Sequence, residues 1–426
     1  MLCCLSSCGA EGNALDAYFE RFAFCERAIT ATPQADLGME VVIPCFNEPD
    51  LIGSLASLWE CERPTCAVEI IVVLNSSIDC SPAIRLQNQL TLEAAAQWVA
   101  EHTDPRFAFH VLHFPQLPAK QAGVGLARKI GMDEAARRFN DVRRPSGVVV
   151  CYDADCRCER NYLMAVEEHF RNNPRSPGCS IYFEHPLDGP LEAKEAIALY
   201  ELHLRYYVQA LRYAGFPYAY HTVGSCMAVR ADAYQKQGGM NKRQAGEDFY
   251  FLHKIIPLGG FTQLTDTTVF PSPRASQRVP FGTGKAVGAY LKGIQIGAYP
   301  FQAFLDLKLL FEQLPSLYGQ EDSLPAEPVP DSVRSFLQEQ RFAEALQEIR
   351  ENTSSEGAFR KRFFHWFNGF QAMKFIHHAR DHYYGEGKVE EESRKLLGIL
   401  PGVHENAVGL SVAEMLAAYR RLDRGR

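Results

Sequence analysis

Residues 147–155 carry the sequence GVVVCYDAD, and this stretch decides the fold prediction. The run Val148–Val150 is apolar without alternation, which is typical of a strand buried on both faces of a parallel sheet. Asp153 and Asp155 follow, and buried carboxylates are costly unless a cation meets them. Ligands of open α/β sheets bind beyond the carboxyl ends of the strands. The stretch therefore predicts a central strand that ends in a ligand site, with a simple aspartate-containing turn as the alternative.

Further apolar runs alternate with helical patterns over residues 1–285, which predicts an α/β fold. The expected strands are 40–45, 68–74, 107–113, 148–152, 179–183 and 225–229. The expected helices are 48–59, 82–102, 124–139, 160–171 and 191–213. We expect a mostly parallel central sheet with helices on both faces, followed by a C-terminal helical region.

The composition of residues 319–332 is acidic and rich in proline, which predicts a linker. The expected division is an N-terminal helical extension (1–37), a main α/β domain (38–285), a helical continuation (286–318), this linker, and a C-terminal helical region (333–426). On this division, residues 1–318 are expected to fold separately from the helical region.

The overall composition excludes several classes of protein. The chain has 44 Lys+Arg against 51 Asp+Glu, a net charge of −7, which argues against a general affinity for nucleic acid. No apolar run approaches the roughly 20 residues of a membrane-spanning helix, and Met1–Ala10 lacks the features of a signal peptide. We expect a soluble, cytoplasmic protein, with peripheral membrane contact left open. The 13 cysteines show no paired zinc spacing and favour free thiols.

Polar residues also follow the first and second predicted strands. Pro44 ends the first strand because proline has no backbone N–H to donate to a neighbouring strand. Asn47 and Glu48 then follow at the carboxyl end of that strand, in the expected ligand crevice. Asn75 follows the second strand and offers an amide for hydrogen bonds to a base or ribose. Helix caps and turns are the alternative interpretation for these residues.

Two later segments add charged candidates. Residues 120–131, KQAGVGLARKIG, open a helix with glycines and include Arg128, but they match neither a phosphate-binding loop nor a dinucleotide fingerprint. Glu247 and Asp248 follow Gly246 at a predicted helix start, where a carboxylate is stabilised in its ionised form, as a proton acceptor must be.

A proline- and glycine-containing loop, residues 271–285, carries cations. Arg274 and Arg278 could pair with a diphosphate, or the loop could simply be solvated.

Two carboxylates spaced as in Asp153-Ala154-Asp155 are the protein ligands that Mg²⁺ or Mn²⁺ typically keeps while it also binds substrate phosphates.

In this order the motifs resemble family 2 glycosyltransferases of the A-type, Rossmann-like nucleotide-diphospho-sugar fold. They are VVIPxFNE, VVLNSS, KxxGxxxARxxG, DAD and GED, within residues 38–285. The resemblance implies that this region is a nucleotide-sugar-binding catalytic domain. It also implies an inverting transfer from a nucleoside-diphosphate sugar that requires Mn²⁺ or Mg²⁺.

Carried over by position, the resemblance implies a role for each candidate. Asp155 would bind the metal directly, Asp153 would serve the ribose or the metal, and Asp248 would be the catalytic base, with Glu247 as its alternative. The nucleotide-binding residues would be Pro44, Asn47, Glu48 and Arg128. Asn75 stands where many relatives have an aspartate that meets the base, so the donor base stays open. Some related enzymes have a metal-binding histidine near the end of this domain. It has no clear counterpart here, although His221 and His253 are candidates.

Two other functions remain open. A nucleotidyltransferase that forms sugar nucleotides would need a basic, glycine-rich loop after the first strand, where this chain has Pro44–Glu48. A non-catalytic sugar-nucleotide-binding scaffold would leave the acidic set unexplained. The acceptor, whether carbohydrate, lipid or small molecule, is not indicated by the sequence.

Overall fold

The computed structural model describes residues 17–276, 278, 282–319, 329–400 and 409–425. Its internal contacts divide the chain into two compact units. The α/β unit comprises residues 1–186, 222–272 and 277–281, and the helical unit comprises 187–221, 273–276 and 282–426. Within the described ranges, no helix has the length and apolarity needed to cross a bilayer.

The α/β unit is built on one eight-stranded sheet. Its strands are β1 (Leu37–Cys45), β2 (Ala67–Ser77), β3 (Phe107–Leu117), β4 (Val148–Cys151), β5 (Arg157–Cys158), β6 (Gly178–Phe183), β7 (Met227–Arg230) and β8 (Thr262–Phe270). The order is β3-β2-β1-β4-β7-β6-β8-β5. The strands β3, β2, β1 and β4 pair in parallel, and β7 and β5 run antiparallel to their neighbours. The predicted mostly parallel sheet is confirmed.

Helices connect these strands. They are α1 (17–22 among the described residues), α2 (Leu51–Trp59), α3 (Pro82–Glu101), α4 (Val124–Asp141), α5 (Tyr162–Asn172), α7 (Ala231–Lys236) and α8 (Glu247–Ile255). Ser81 caps α3 by accepting from the Ile84 N–H, and Pro82 fixes the first turn. Every predicted strand and helix has a counterpart, within a few residues at each end. The strand β8 was not predicted, since its sequence TQLTDTTVF is largely polar.

The register of the central strands brings their carboxyl ends together. Cys45 of β1 lies opposite Leu74 of β2, and Val42 of β1 lies opposite Cys151 of β4. The β1 side chains from Val41 to Ile43 are fully buried, as expected for a strand covered on both faces. The segments that follow β1, β2 and β4 therefore emerge at one edge of the sheet.

The helix α4 is buried on nearly all sides, although it is rich in charge. Asp133 accepts hydrogen bonds from the hydroxyls of Tyr18 and Tyr234, both at 2.7 Å, and forms an ion pair with Lys129. Arg138, at the other end of α4, forms an ion pair with Glu69 of β2. Residues 18–31 pack across the outer face of α4 and complete its burial.

The helical unit has its own hydrophobic core. It comprises α6 (Leu191–Tyr213), α9 (Thr283–Tyr290), α10 (Phe301–Glu312), α11 (Leu314–Gly319), α12 (Asp331–Glu339), α13 (Phe342–Glu351), α14 (Glu356–Trp366), α15 (Gly369–Ala379), α16 (Val389–Leu397) and α17 (Val412–Asp423), with a two-stranded sheet of β9 (Gly297–Ala298) and β10 (Gly387–Lys388). Side chains of α6 and α10 share this core with α12–α17.

This grouping differs from the division expected from the sequence. The sequence predicts that residues 1–318 fold as one unit, separate from the C-terminal helices. The contacts instead group α6 and residues 282–319 with those helices. The physical reason is the shared core, because α6 would expose apolar side chains without α16 and α17. Most of the predicted linker, residues 320–328, lies outside the described residues.

Candidate active site

A left-handed turn follows β1. Asn47 has a φ of 49°, a region that asparagine tolerates better than most residues. Its N–H donates to Asn88 Oδ1 of α3 at 2.8 Å. The Glu48 carbonyl accepts from Thr91 Oγ1, also at 2.8 Å, and the buried Glu48 carboxylate accepts from the Asp50 N–H at 2.9 Å. The turn after Pro44 is therefore held by side chains of α3.

The two aspartates of the D-A-D segment lie in a tight turn at the end of β4. The Cys156 N–H donates to the Asp153 carbonyl at 3.1 Å, which closes this turn. The side chains of Asp153 and Asp155 are 38% and 21% exposed, so both carboxylates can reach a ligand. Burial raises the pKa of Asp153, and the nearby guanidinium of Arg128 opposes this shift. Each aspartate is paired with a different arginine.

The first arginine bridge joins the ends of β1 and β4. Arg278 donates to Glu48 Oε2 at 2.6 Å and to Asp155 Oδ2 at 2.8 Å. Its neighbours at 277 and 279–281 lie outside the described residues. Arg274, the other predicted cation of this loop, belongs to the segment 273–276, which groups with the helical unit.

The second arginine bridge joins β4 to α8. Arg128, on α4, donates through Nη2 to Asp153 Oδ1 at 2.6 Å and through Nη1 to Glu247. Its side chain is 2% exposed. The nucleotide-binding role that the family resemblance implies for Arg128 stays a prediction, and in this structure its guanidinium donates to two carboxylates of the protein itself.

Glu247 and Asp248 begin α8 after Gly246, which has a φ of 70°. Glu247 is buried against Arg128, and its burial raises its pKa to about 7. Asp248 keeps part of its side chain exposed and accepts from the Phe249 N–H at 2.7 Å. Burial also raises the pKa of Asp248, while Arg128 and backbone N–H groups oppose the shift.

Gly224 also lies at the candidate site, although no sequence motif indicates it. A Cβ at this position would lie 2.7 Å from Arg128 Nη1 and 2.9 Å from Asp248 Oδ2. No side chain fits there without displacing the arginine or the carboxylate. Gly224 lies in the segment TVGS (222–225) before β7, and this segment gives no local indication of a site because the side chains around Gly224 come from α4 and α8.

Asn75 supports the turn before α4. Its Nδ2 donates to the Gly123 carbonyl at 2.9 Å, and the residue is 2% exposed. At Gly125, two residues after Gly123, a Cβ would lie 2.2 Å from the Arg243 carbonyl oxygen. The glycines of this segment therefore allow close packing against residues 243–247. The expected contact between Asn75 and a base stays a prediction.

The candidate metal ligands Asp153, Asp155, His221 and His253 do not form one cluster in the structure. Across the described part of the chain, no group of three or more His, Cys, Asp or Glu side chains is arranged to hold a metal ion. His253 pairs through Nδ1 with the Phe249 carbonyl, and His221 belongs to the helical unit, where it contacts Asp423. Asp153 and Asp155 remain as two partly exposed carboxylates, a set that fits an ion whose other ligands are phosphates and water.

Comparisons with known proteins give no family. No family model matches the chain, and no curated protein matches it. Among solved structures, TarS 1–349 of S. aureus in complex with UDP-GlcNAc is similar at 14% identity, covering 91% of each chain, with a TM-score of 0.39. The mannosyltransferase PcManGT of Pyrobaculum calidifontis, in complex with GDP-Man and Mn²⁺, is similar at 16% identity, covering 86% of this chain and 93% of its own, with a TM-score of 0.37.

Proposed function

We propose that the α/β unit is a glycosyltransferase that moves a sugar from a nucleoside-diphosphate donor to an acceptor hydroxyl with inversion. The observation that carries the proposal is the pair of carboxylate–arginine–carboxylate bridges at the carboxyl ends of β1 and β4. This edge of a parallel sheet is where such folds bind ligands. The ordered motifs that resemble family 2 glycosyltransferases give independent support.

The donor end of the site suits a metal-bound diphosphate. Asp153 and Asp155 would hold the Mn²⁺ or Mg²⁺ ion, which when bound neutralises charge on the leaving diphosphate. Arg278 is the more accessible of the two arginines, with 25% of its side chain exposed, and its planar guanidinium suits phosphate oxygens. Asn47, which is partly exposed in the turn after β1, would contact the nucleotide, and the buried Glu48 would hold Arg278 beside it.

The acceptor end of the site centres on Asp248. An inverting transfer needs a carboxylate that removes the proton from the acceptor hydroxyl as its oxygen attacks the anomeric carbon. Asp248 is partly exposed, whereas Glu247 is buried and bound to Arg128. We therefore assign Asp248 as the base, and we assign Glu247 and Arg128 to positioning it.

Two features oppose the other candidate functions. The loop after β1 presents a carboxylate, Glu48, where a nucleotidyltransferase would need a basic, glycine-rich loop. A scaffold without activity would leave unexplained the partly exposed Asp248 next to the buried ion pair of Arg128 and Glu247. Such buried charge is costly to maintain.

A binding measurement tests the proposal. Nucleoside diphosphates should raise the melting temperature only with Mn²⁺ or Mg²⁺ present, because the ion would bridge the aspartates and the diphosphate. A ligand at 100 times its Kd stabilises the folded protein by about 2.7 kcal/mol, which sets the size of the shift. Asp155→Asn should abolish this shift. Glu168→Gln, which changes an exposed carboxylate on α5, should leave it unchanged. Equal nucleotide affinity in EDTA and in Mn²⁺ would contradict the metal requirement, and no affinity for any nucleoside diphosphate would contradict the function.

A further inference from the structure

Two buried side chains of α3 contact the backbone of the turn after β1. Asn88 and Thr91 are 3% and 5% exposed. Asn88 Oδ1 accepts the Asn47 N–H, and Thr91 Oγ1 donates to the Glu48 carbonyl, both at 2.8 Å. The two contacts hold consecutive residues of the turn from the same helix, so α3 fixes the direction in which the turn leaves the sheet.

The hydroxyl of Thr91 is itself oriented. Gln87 Nε2 donates to Thr91 Oγ1 at 3.1 Å, which leaves the hydroxyl hydrogen to point at the Glu48 carbonyl. Asn47 needs such support because a left-handed conformation of a residue other than glycine persists only where the surroundings determine it.

Asn88 also has a feature that packing alone does not explain. Its Nδ2 is buried and has no hydrogen-bond partner within the described residues. An unsatisfied buried donor is unfavourable, and natural proteins rarely retain one without a functional reason. The contact of Asn88 with the turn is made by its oxygen, which accepts from the Asn47 N–H.

The contacts of α3 continue into the donor end of the site. The turn that Thr91 holds carries Glu48, whose carboxylate binds Arg278, and Arg278 binds Asp155. By contrast, Asp248 accepts a hydrogen bond from the Phe249 N–H of α8 and lies next to the other bridge, which Arg128 forms with Asp153 and Glu247. A change in the turn should therefore affect binding of the donor more than the proton transfer.

We infer that Asn88 and Thr91 are positioning residues for the nucleoside-diphosphate donor. They hold the Asn47–Glu48 turn, and through it Arg278 and Asp155, in the arrangement that binds the diphosphate. This inference rests on the proposed function and adds α3 to its donor site.

Matched substitutions test the inference. Thr91→Val removes the hydroxyl at nearly constant volume, and Thr91→Ser keeps it. We expect Thr91→Val and Asn88→Ala to weaken binding of a nucleoside diphosphate with Mn²⁺ by about tenfold or more, and Thr91→Ser to stay within about threefold of the wild type, since one hydrogen bond corresponds to roughly a factor of ten. Turnover at saturating donor, followed as slow donor hydrolysis, should change by less than about threefold in each.

Thr267→Val separates a local effect from general destabilisation. Thr267, on β8, is fully buried and donates to Asn161 Oδ1 at 2.9 Å, so its substitution also removes a buried hydroxyl of the α/β unit. Its donor affinity should match that of the wild type. Unchanged affinity in Thr91→Val, or an equal loss in Thr91→Ser or Thr267→Val, would overturn this inference alone. A wild-type protein that binds no nucleoside diphosphate would overturn it together with the proposed function.

Discussion

Glu247 and Asp248 are adjacent in sequence but differ in their surroundings. Glu247 points into the protein and binds Arg128, whereas Asp248 is partly exposed and is held by backbone N–H groups. Because Glu247 is 3% exposed and already bound to Arg128, an acceptor hydroxyl cannot reach it without displacing that pair, whereas the partly exposed Asp248 is accessible. The residue environment thus distinguishes two candidates that the sequence GED leaves equivalent.

The first prediction at this scale concerns the base. Asp248→Asn should lower turnover by about 10²- to 10⁴-fold while leaving donor and metal affinity near the wild-type values, because general-base catalysis contributes about that much. Single-turnover kinetics and a nucleoside-diphosphate titration measure the two quantities separately. Near-normal transfer, or loss of donor binding together with activity, would move the assignment to Glu247 or remove it.

The second prediction follows from the raised pKa of Asp248, which burial moves above its ordinary value of 3.8. A base must be ionised to accept a proton, so kcat/KM should rise with pH through this raised pKa and fall as acid protonates the carboxylate. A pH–rate profile of wild type and Asp248→Asn checks the assignment. If the variant keeps the same acid limb, another group is responsible for it.

At the scale of elements, α4 connects the site to the rest of the α/β unit. Arg128 lies at its start, Lys129 and Asp133 contact Tyr18 and Tyr234, and Arg138 binds β2. Residues 18–31 cover the side of the helix that the sheet does not. The position of Arg128 thus depends on a helix whose other charges are buried and paired.

The third prediction tests this burial. Asp133→Ala should lower the free energy of unfolding of the α/β unit by about 3–5 kcal/mol, because it leaves Lys129 buried without its ion-pair partner. The matched control is Asp141→Ala on the same helix, where the pair with Arg27 is exposed at 31% and 43% and should change stability by less than about 1 kcal/mol. Urea denaturation compares the two. Similar losses in both variants would contradict the role assigned to Asp133.

The elements also show what the sequence can and cannot predict. Apolar runs identified β1, β2 and β4, and the rule for parallel sheets correctly predicted that the segments after them emerge at one edge. The polar strand β8 escaped detection, since its buried threonines resemble a loop in composition. The bridge from Arg128 to Glu247 joins residues 119 positions apart, and local patterns hold no information about such a pair.

At the scale of the whole molecule, buried charges fix the last helix of the chain. Asp423, at the end of α17, has a fully buried side chain that accepts from Arg205 and Gln209 of α6 and contacts His221. Arg420 of α17 donates to Glu201 of α6. The C-terminus of the described chain is therefore part of the core of the helical unit.

The fourth prediction is that Asp423→Ala lowers the free energy of unfolding of the helical unit by about 3–5 kcal/mol, because Arg205 loses a buried partner. Asp331→Ala is the control, since its pair with Arg334 is 80% and 47% exposed and should matter little. Chemical denaturation of both variants measures the difference. A smaller loss in Asp423→Ala than in the control would contradict the buried network.

The fifth prediction concerns acid. Burial alone would raise the pKa of Asp423, but His221, Arg205 and Arg212 hold it below its ordinary value. Because the pKa of Asp423 is lower in the folded than in the unfolded protein, its carboxylate stabilises the folded state at pH values above the unfolded pKa of about 3.9. This stabilisation is lost as the pH falls below that value. Thermal melts from pH 6 down should therefore show a steeper acid loss in the wild type than in Asp423→Ala. Parallel curves would contradict this contribution.

The contact between Arg205 and Asp423 spans 218 positions of the chain. At about 5–20 residues per second, a ribosome needs roughly 10–40 s to add the partner that Arg205 requires. During that interval α6 is already synthesised, and Arg205 has Glu201 of the same helix as an ion-pair partner but lacks Asp423. The apolar side chains of α6 that pack against α16 and α17 also stay uncovered until those helices are synthesised. We therefore expect chaperones that bind apolar segments to contact nascent α6 until α16 and α17 have been synthesised.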